Sequence, residues 1–291
     1  MKLGKKIIKN KIFLAPIEEV NDICFRLLCK KSGAELTWTQ LTSPLSPKEL
    51  NLEDKPILQL FGTTPKGIKE FMKKYDKKVS GWDFNLGCPA KTAKKFGYGA
   101  YLKDLESIEL ILKNMRENTK KLLFVKIRKS KDSFKILKIA EKYCDAITIH
   151  PRTISQGYSG EPDIKFALEL KKISKIPVIY SGNVDEKNYK EHLKNFDAVM
   201  IGRKAIGNPN IFSKVIGVKE RFSFWDYLKL ENKYPMHFRQ LKFQAMNFTK
   251  GKKNSRKLRK NIIYAKSKEE VIKLFFEDNV TTSVYNIPKR L

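Results

Sequence analysis

The chain has 291 residues, and its 60 Lys and Arg against 31 Asp and Glu give a formal net charge of +29. The length suits one large α/β domain, alone or with a small appendage, and a hydrophobic fraction of 41% excludes wholesale disorder. A surface this positive attracts polyanions, above all nucleic acid, unless much of the excess is only a solvated Lys-rich background.

Short apolar runs alternate along the chain with longer amphipathic stretches. The runs are apolar on both faces and often β-branched, as buried parallel strands are. Eight such runs occur: Ile12–Ala15, Leu36–Thr39, Ile57–Phe61, Trp82–Asn85, Phe124–Ile127, Ala146–His150, Val178–Ser181 and Ala198–Ile201. Helical stretches lie between them, for example Asp22–Lys31, Pro65–Tyr75, Leu105–Glu117 and Ser133–Tyr143. We predict a (β/α)8 TIM barrel, an α/β fold, with a doubly wound open sheet as the alternative.

From Phe224 onward glycine nearly vanishes and the pattern becomes helical. Three helices are predicted there: Pro235–Phe248, Ser255–Tyr264 and Ser267–Phe276. We therefore divide the chain into a barrel of residues 1–223 and a small C-terminal helical domain of residues 224–291. This second part has 16 Lys and Arg against 6 Asp and Glu, and Lys250–Lys260 holds seven cations without an anion. That run is either a solvated helix face or a phosphate-binding surface.

Polar residues follow the ends of the predicted strands, where barrel enzymes carry their chemistry. The loops after the last two strands contain Ser181-Gly182-Asn183 and Gly202-Arg203. Such loops commonly bind a phosphate, because glycines let backbone N–H groups approach its oxygens and a following helix favours negative charge. These two short turns together predict a phosphate site, because they follow adjacent strands. Each alone would be interpreted as a structural turn.

Two further strand-end residues carry charge or a proton. Lys126 ends a buried strand, where desolvation is costly unless an anion such as a phosphate or the N1–C2=O edge of a reduced flavin lies nearby. His150 ends the sixth strand and is one of three histidines. Each also has a plainer interpretation, Lys126 as an exposed strand-end lysine and His150 as a hydrogen-bonded structural residue. Their place in a ring of polar strand ends favours ligand contact.

The chain has four cysteines and no CxxC pair. Cys24 and Cys29 lie five residues apart in a predicted helix and are read as core residues, so no metal site is expected. Cys88 stands between Gly87 and Pro89, which predict a sharp turn that projects the thiol into the barrel mouth. With an ordinary pKa of about 8.5 it would be protonated at pH 7 and able to act as a general acid. A nucleophile and a buried inert cysteine remain alternatives.

No secretory signal pattern and no apolar run of about 18 residues are visible. We expect a protein without a membrane segment in a reducing, cytoplasmic setting.

Five blocks of this sequence resemble the tRNA-dihydrouridine synthases, in family order from about residue 12 to 212. The most specific is Asp83-Phe84-Asn85-Leu86-Gly87-Cys88-Pro89-Ala90-Lys91, continuing to Gly97-Tyr98-Gly99-Ala100. The others are Leu14-Ala15-Pro16-Ile17-Glu18 with Asn21-Asp22 and Phe25-Arg26; Leu58-Gln59-Leu60-Phe61-Gly62; Val125-Lys126-Ile127-Arg128 with Ile149-His150-Pro151-Arg152-Thr153 and Gln156-Gly157-Tyr158-Ser159-Gly160; and Ser181-Gly182-Asn183 with Val199-Met200-Ile201-Gly202-Arg203 and Gly207-Asn208-Pro209.

The resemblance implies an FMN-binding barrel followed by a helical domain. We expect this C-terminal domain to bind tRNA and the protein to be a monomer. It implies reduction of the C5–C6 double bond of specific tRNA uridines to 5,6-dihydrouridine. NADPH reduces FMN, the flavin N5 gives hydride to C6, and Cys88 protonates C5. This division of roles is chemically reasonable, because hydride addition at C6 leaves enolate character that a positioned acid quenches.

The resemblance also assigns site residues one by one. Pro16, Ile17, Glu18 and Gln59 would lie against the isoalloxazine. Lys126 would face N1/O2, and His150 would hold the ring or the phosphate side. Ser181, Gly182, Asn183, Gly202 and Arg203 would hold the ribityl phosphate. The expected uracil contacts are Asn85 and Arg152. The basic run of the C-terminal segment, and not the resemblance, gives the expected tRNA phosphate contacts Lys252, Lys253, Arg256 and Lys257.

Family members usually have Met in place of Ile17, Asn in place of Ser181 and Asp in place of Asn183, and backbone contacts to FMN survive these changes. Two alternative functions stay open. An FMN-dependent barrel oxidoreductase of a small pyrimidine shares the barrel but leaves the basic tail unexplained. A non-enzymatic RNA-binding protein leaves Cys88, Lys126 and His150 unexplained.

Overall fold

Eight parallel strands form the centre of the structure, a computed structural model that describes residues 1–4, 6–251 and 254–281. In chain order these strands are β3 Ile12–Leu14, β4 Leu36–Thr37, β5 Ile57–Leu60, β6 Gly81–Leu86, β7 Leu122–Arg128, β8 Ala146–His150, β9 Val178–Tyr180 and β10 Ala198–Ile201. Their order in the sheet is β4-β3-β10-β9-β8-β7-β6-β5, and every neighbouring pair is parallel. Parallel bridges from Trp38 to Ile57 and from Thr42 to Leu60 join the two remaining edges. The predicted TIM barrel is confirmed, and the open sheet is wrong.

A short antiparallel hairpin precedes the barrel and was not predicted. It pairs β1 (Lys2–Leu3) with β2 (Lys6–Ile7). Leu3 and the following Ile8 are buried in one apolar cluster with the strand residues Phe13 and Phe124. Phe13 and Phe124 belong to the interior of the barrel, so the hairpin covers the end at which the strands begin. The functional opening must therefore lie at the other end.

Large side chains fill the barrel interior, as the inward-facing residues of TIM barrels do. The Trp38 ring lies 5.7 Å from the ring of Phe13 and 5.2 Å from that of Phe124, centroid to centroid. The indole N–H of Trp38 donates to Asp83 Oδ2 at 2.8 Å, so this polar group is satisfied in the core. These rings fill the part of the barrel next to the strand N-termini and leave the opposite end for a ligand.

The outer layer of the barrel consists of helices that alternate with the strands. They are α1 Ile23–Lys31, α2 Ile68–Tyr75, α3 Lys91–Phe96, α4 Leu105–Glu117, α5 Ser133–Tyr143, α6 Ile164–Ile173, α7 Tyr189–Asn195 and α8 Ile211–Ile216. Side chains of Asp22, Asp104 and Asp163 cap the N-termini of α1, α4 and α6. Helix α2 starts later than the predicted Pro65, because Gly67 has a left-handed φ of 77° and acts as its N-cap.

Four helices follow the barrel: α9 Phe224–Lys233, α10 Phe238–Phe248, α11 Ser255–Tyr264 and α12 Lys268–Thr281. Sequence analysis missed α9, although Ser223 and Asp226 form a capping box that marks its start. Aromatic rings join these helices, for example Phe224 and Phe275 with centroids 4.2 Å apart. The boundary between residues 223 and 224 coincides with the start of α9, and the division into two domains stays a prediction. Among the described residues, no helix is long and apolar enough to cross a bilayer.

Candidate active site

An open cavity of about 810 Å³ lies at the C-terminal ends of the barrel strands. It is lined by all fourteen of the site residues predicted within the barrel: Pro16, Ile17, Glu18, Gln59, Asn85, Cys88, Lys126, His150, Arg152, Ser181, Gly182, Asn183, Gly202 and Arg203. Consecutive parallel strands deliver their carboxyl ends to one rim, which is why residues so far apart in sequence meet here. The structure brings these side chains together, and their individual roles remain predictions.

The four predicted tRNA contacts of the C-terminal segment behave differently. Arg256 and Lys257 are exposed on α11 and do not line the cavity, while Lys252 and Lys253 lie outside the described residues. Lys250, from the same basic run, does line the cavity, and its Nζ donates to the carbonyl of Arg203 at 3.4 Å. Lys250, which the sequence pattern grouped with the candidate RNA contacts, therefore lies at the cavity rim.

A chain of amide and carboxylate hydrogen bonds runs under the cavity. Gln59 Nε2 donates to Asp83 Oδ2 at 2.6 Å, and Asn85 Nδ2 donates to Gln59 Oε1 at 2.9 Å. Asn85 Oδ1 in turn accepts from the backbone N–H groups of Cys88 at 2.9 Å and Gly87 at 3.1 Å. These bonds fix the Gln59 amide and the turn that carries Cys88. Asn85 therefore positions the turn that carries the thiol, independently of any contact that its second amide hydrogen makes.

Asp83 was not among the predicted site residues. It is fully buried on β6, and burial raises its pKa to about 7 against the opposing hydrogen bonds from Gln59 and Trp38. Its other oxygen, Oδ1, has no hydrogen-bond partner among the described residues. A signal was present in the sequence: Asp83 and Asn85 are two apart on a strand, so both point to the inside of the barrel.

Lys126 stands in the middle of the site with its charge uncompensated. Burial, assisted by the nearby positive Arg128, lowers the pKa of Lys126 to about 8, although Asp83 acts in the opposite direction. No side chain or carbonyl among the described residues accepts a hydrogen bond from its Nζ. A half-buried cation without a hydrogen-bond partner is costly, so this position favours an anionic or electron-rich ligand.

His150 is neutral and surrounded by cations. Its pKa is lowered to about 2, first by burial and then by the positive charges of Lys126, Arg128, Arg152 and Arg203. Arg152 Nη1 lies 3.1 Å from His150 Nε2, and since arginine can only donate, Nε2 accepts and Nδ1 carries the proton. Arg152 is 1% exposed. Its other hydrogen bonds go to the carbonyls of Ser159 and Gly160, so it fixes this loop.

Arg128 and Tyr158 complete the cationic side of the site and were not singled out from the sequence. Arg128 donates to the carbonyls of Gly87, Thr153 and Gly157, which ties the Cys88 turn to the loop after β8. The ring centroid of Tyr158 lies 5.5 Å from Arg128 Cζ and 5.0 Å from Arg203 Cζ. Tyr158 is 56% exposed and lines the cavity, with both guanidinium groups over its ring as cation–π contacts.

Backbone donors converge at the loops after β9 and β10. Asn183 adopts a left-handed φ of 51°, and its Oδ1 accepts from Arg203 Nη2 at 2.7 Å. The backbone N–H groups of Gly182, Asn183, Gly202 and Arg203 find no acceptor among the described residues. Such a cluster of free N–H groups beside a guanidinium is the donor set that a phosphate requires.

The Cys88 thiol is half-buried at the cavity wall, and the loop that carries it closes on itself. The N–H of Ala100 donates to the Cys88 carbonyl at 3.1 Å. Gly99 approaches so closely that a Cβ there would lie 3.0 Å from Cys88 Cβ. Burial, with the negative charge of Glu18, raises the thiol pKa above its ordinary value, although Arg128 and Lys126 oppose this. The thiol is therefore protonated at neutral pH and able to donate a proton.

A closed (β/α)8 barrel defines a TIM-barrel enzyme when one mouth holds a phosphate-type donor cluster, a protonated thiol and a half-buried lysine without a hydrogen-bond partner among the described residues. Comparisons with known proteins identify its family. The dihydrouridine synthase (Dus) family profile matches residues 13–284. The chain belongs to the dihydrouridine synthase family, and it is a TIM-barrel oxidoreductase of the tRNA-processing class.

Several relatives carry the same family name. A probable tRNA-dihydrouridine synthase of Aquifex aeolicus is 29% identical over 91% of this chain and 95% of its own length. A probable tRNA-dihydrouridine synthase of Helicobacter pylori is 36% identical over 71% of each chain. The tRNA-dihydrouridine synthase B of Pasteurella multocida is 29% identical over 77% of this chain and 74% of its own.

Solved structures share the fold at low sequence identity. TcOYE with pHBA superposes with a TM-score of 0.56 at 12% identity, covering 81% of this chain and 98% of that one. Morphinone reductase in complex with tetrahydroNAD superposes with a TM-score of 0.53 at 12% identity, covering 76% of this chain and 90% of that one. At this identity the likeness supports the barrel fold alone.

Proposed function

We propose that this protein reduces the C5–C6 double bond of specific uridines in tRNA to 5,6-dihydrouridine, with FMN as cofactor and NADPH as reductant. The observation that carries the proposal is the protonated Cys88 thiol held at the wall of a cation-rich cavity, in a chain of the dihydrouridine synthase family. A small-molecule oxidoreductase would need the same cavity. The relatives named for tRNA favour the macromolecular substrate.

The residues present fit FMN. The unpaired N–H groups of the loops after β9 and β10, with Arg203, match the needs of its phosphate. Pro16, Ile17, Glu18 and Gln59 line the side of the cavity expected to hold the isoalloxazine. Lys126 has no protein partner among the described residues and would pair with the N1/O2 edge of the flavin, stabilising negative charge there.

Bound FMN would supply the hydride that is added to C6 of uracil, after NADPH has reduced the flavin. The protein's own contribution is a proton at C5, and we assign it to Cys88 Sγ. Asn85 and Arg128 hold the thiol in place by binding the Cys88 N–H and the Gly87 carbonyl of its turn. His150 stays neutral and contributes a hydrogen bond rather than a charge.

Substrate entry requires the target uridine to leave the tRNA stack, because its C6 edge is otherwise inaccessible. The cavity is open to solvent and its rim carries Arg203, Lys204 and Lys250. We propose that the exposed cations of α11, Arg256 and Lys257, with the neighbouring Lys252 and Lys253, contact tRNA phosphates. Such contacts position the RNA without reading its sequence.

The test is direct reconstitution. The purified protein should be yellow or become so with FMN, and should form dihydrouridine on unmodified tRNA when NADPH is added. Free uridine and small pyrimidines serve as competing substrates. Dihydrouridine on tRNA supports the proposal. Turnover confined to small pyrimidines, or a flavin-loaded protein that binds tRNA and leaves every uridine unreduced, would contradict it. Mapping dihydrouridines in host tRNA with and without this protein then identifies the position.

A further inference from the structure

We propose that the exposed face of α3, formed by Phe96 with Lys91, Lys94 and Lys95, is a stacking platform for an RNA base that neighbours the extracted uridine. The proposal rests on the proposed function and names an RNA contact on α3, a helix that carries none of the predicted site residues. We call this surface the α3 platform.

The α3 platform is attached rigidly to the thiol that we assign as the acid. Helix α3 begins at Lys91, three residues after Cys88. The Ala100 N–H to Cys88 carbonyl bond closes the loop at its base, and Tyr101 OH donates to the Pro89 carbonyl at 3.3 Å. A nucleotide bound at α3 is therefore held at a defined distance from a uracil beside Cys88.

Phe96 is the aromatic residue of the α3 platform. It is 63% exposed, whereas the nearby Tyr98 packs on Phe61 with ring centroids 4.3 Å apart. Among the described residues Phe96 pairs with no other aromatic ring, and only Lys95 lies over its face, with Nζ 5.4 Å from the centroid. A single exposed apolar residue is common on protein surfaces, so the inference depends on Phe96 together with the three lysines beside it and the Cys88 turn before it.

The positive charge of the α3 platform favours a nucleic acid over a second copy of this chain as its partner. Lys91, Lys94 and Lys95 are all exposed, and none pairs with a carboxylate in the described part of the chain. No Asp or Glu occurs between Phe84 and Lys103. A second copy of this chain would bring the same positive surface against it, and like charges repel. A nucleic acid supplies both phosphates for the lysines and a planar base for the ring.

Such a platform would act when the target uridine is extracted from the RNA stack. Removing one base from a stack leaves its neighbours without a stacking partner, and an aromatic side chain can replace that partner. Base stacking on an aromatic ring tolerates any base, so the platform would strengthen binding without narrowing the choice of sequence.

The experiment compares Phe96→Leu, Phe96→Trp and the control Leu110→Ala in the FMN-loaded protein with an unmodified tRNA transcript. Leu110 is 53% exposed on α4 and serves as a matched apolar surface residue. We expect Phe96→Leu to raise the Kd for tRNA by about tenfold with an unchanged salt slope, and Phe96→Trp and Leu110→Ala to bind as the wild type does.

Phe96→Trp also supplies a direct signal as the difference from the wild type, because Trp38 and Trp82 are fully buried and the partly buried Trp225 is common to both proteins. Its added fluorescence should be quenched by tRNA and not by heparin, a polyanion without bases. Equal binding by Phe96→Leu, equal quenching by heparin, or a wild-type dimer that Phe96→Leu dissociates would overturn the platform. If the wild type binds tRNA and forms no dihydrouridine, the proposed function fails while the binding and quenching data still decide the platform.

Discussion

Gln244 Nε2 lies 2.6 Å from Asp22 Oδ2, and this hydrogen bond joins helices α10 and α1 across 222 residues of sequence. The same carboxylate oxygen accepts from Gln240 Nε2 and Tyr227 OH, while Asp22 Oδ1 caps α1 through the Phe25 N–H. The amides of Gln240 and Gln244 also donate to the carbonyls of Glu19 and Val20. The C-terminal helices therefore hold the segment that leads from Ile17 and Glu18 into α1.

Replacing Gln244 by Leu removes two donors from a buried site. Asp22 loses one of its hydrogen bonds and the carbonyl of Val20 loses its partner, so we expect a loss of about 1–3 kcal/mol in the free energy of unfolding. Urea denaturation measures it. Gln240→Leu is the control, because Gln240 is partly exposed and water can replace its bonds. Equal losses of unfolding free energy in the two variants would show that burial does not increase the contribution of the Gln244 hydrogen bonds.

The loop after β10 should be intolerant of a side chain at Gly207. A Cβ there would lie 1.9 Å from the carbonyl oxygen of Asn247 on α10, and φ is 67°. Gly217 has a similar φ of 78° with nothing within 4 Å of a Cβ, so Gly217→Ala measures backbone strain alone. We expect about 1–2 kcal/mol for Gly217→Ala and a distinctly larger loss for Gly207→Ala. Thermal unfolding of both variants checks this, and equal Tm shifts would contradict the contact.

Cys88→Ala should keep FMN and lose dihydrouridine formation. The thiol is not part of the phosphate donor cluster, so flavin absorbance should survive, while protonation of C5 loses its acid. The measurements are the flavin spectrum of the purified variant and dihydrouridine yield on unmodified tRNA. Undiminished turnover by Cys88→Ala would remove the thiol from the mechanism. Loss of flavin would show that Cys88 acts through the fold of the site.

FMN affinity should fall as pH rises through about 8. Burial lowers the pKa of Lys126 to about 8, so the ligand-free protein loses this charge above that pH, whereas an anionic ligand favours the protonated lysine. Binding then takes up a proton, and Kd should rise by up to about tenfold per pH unit above 8. Flavin-fluorescence titrations from pH 6.5 to 9.5 measure it. The Kd of Lys126→Met for FMN should depend less on pH across this range. Parallel dependences of Kd on pH in the wild type and Lys126→Met would contradict the pairing of Lys126 with FMN.

Neutralising α11 should weaken tRNA binding and reduce its salt dependence. Arg256 and Lys257 are exposed there, and each phosphate contact contributes about 0.7–0.9 to the slope of log K against log salt. We expect Arg256→Gln with Lys257→Gln to reduce the slope by about 1.5. Lys172→Gln with Lys175→Gln is the control, since both lie just before β9, at the opposite end of the barrel from the cavity. Unchanged tRNA binding by the variant with Arg256→Gln and Lys257→Gln would indicate that these cations form only a solvated helix face.

Strands were predicted well where the local pattern is unambiguous. Ala146–His150 has the predicted bounds, because a run of buried apolar and β-branched residues ends at a polar one. Strand β7 runs from Leu122 to Arg128 and so extends beyond both ends of the predicted Phe124–Ile127. Three backbone carbonyls satisfy the Arg128 guanidinium, and they come from distant loops. A single sequence does not contain that information.

The same distinction applies to the site. Strand-end positions such as His150 and Arg203 could be assigned because the barrel rule places them at one rim. The anchoring of Asp22 by Gln244 could not, because hydrogen-bond partners so distant are set by how α10 packs on the barrel. Lys250 was grouped with a charged run, yet the end of α10 carries it to the cavity.

Helix α10 contacts the loop after β3 through Gln240 and Gln244, and the loop after β10 through Asn247. We therefore expect a C-terminal segment from a relative to replace this one only if it supplies both glutamines and the close approach at Gly207. Without them, the loops after β3 and β10 would lose their contacts with α10. Grafting a different C-terminal segment onto this barrel would thus require redesign of the barrel rim as well.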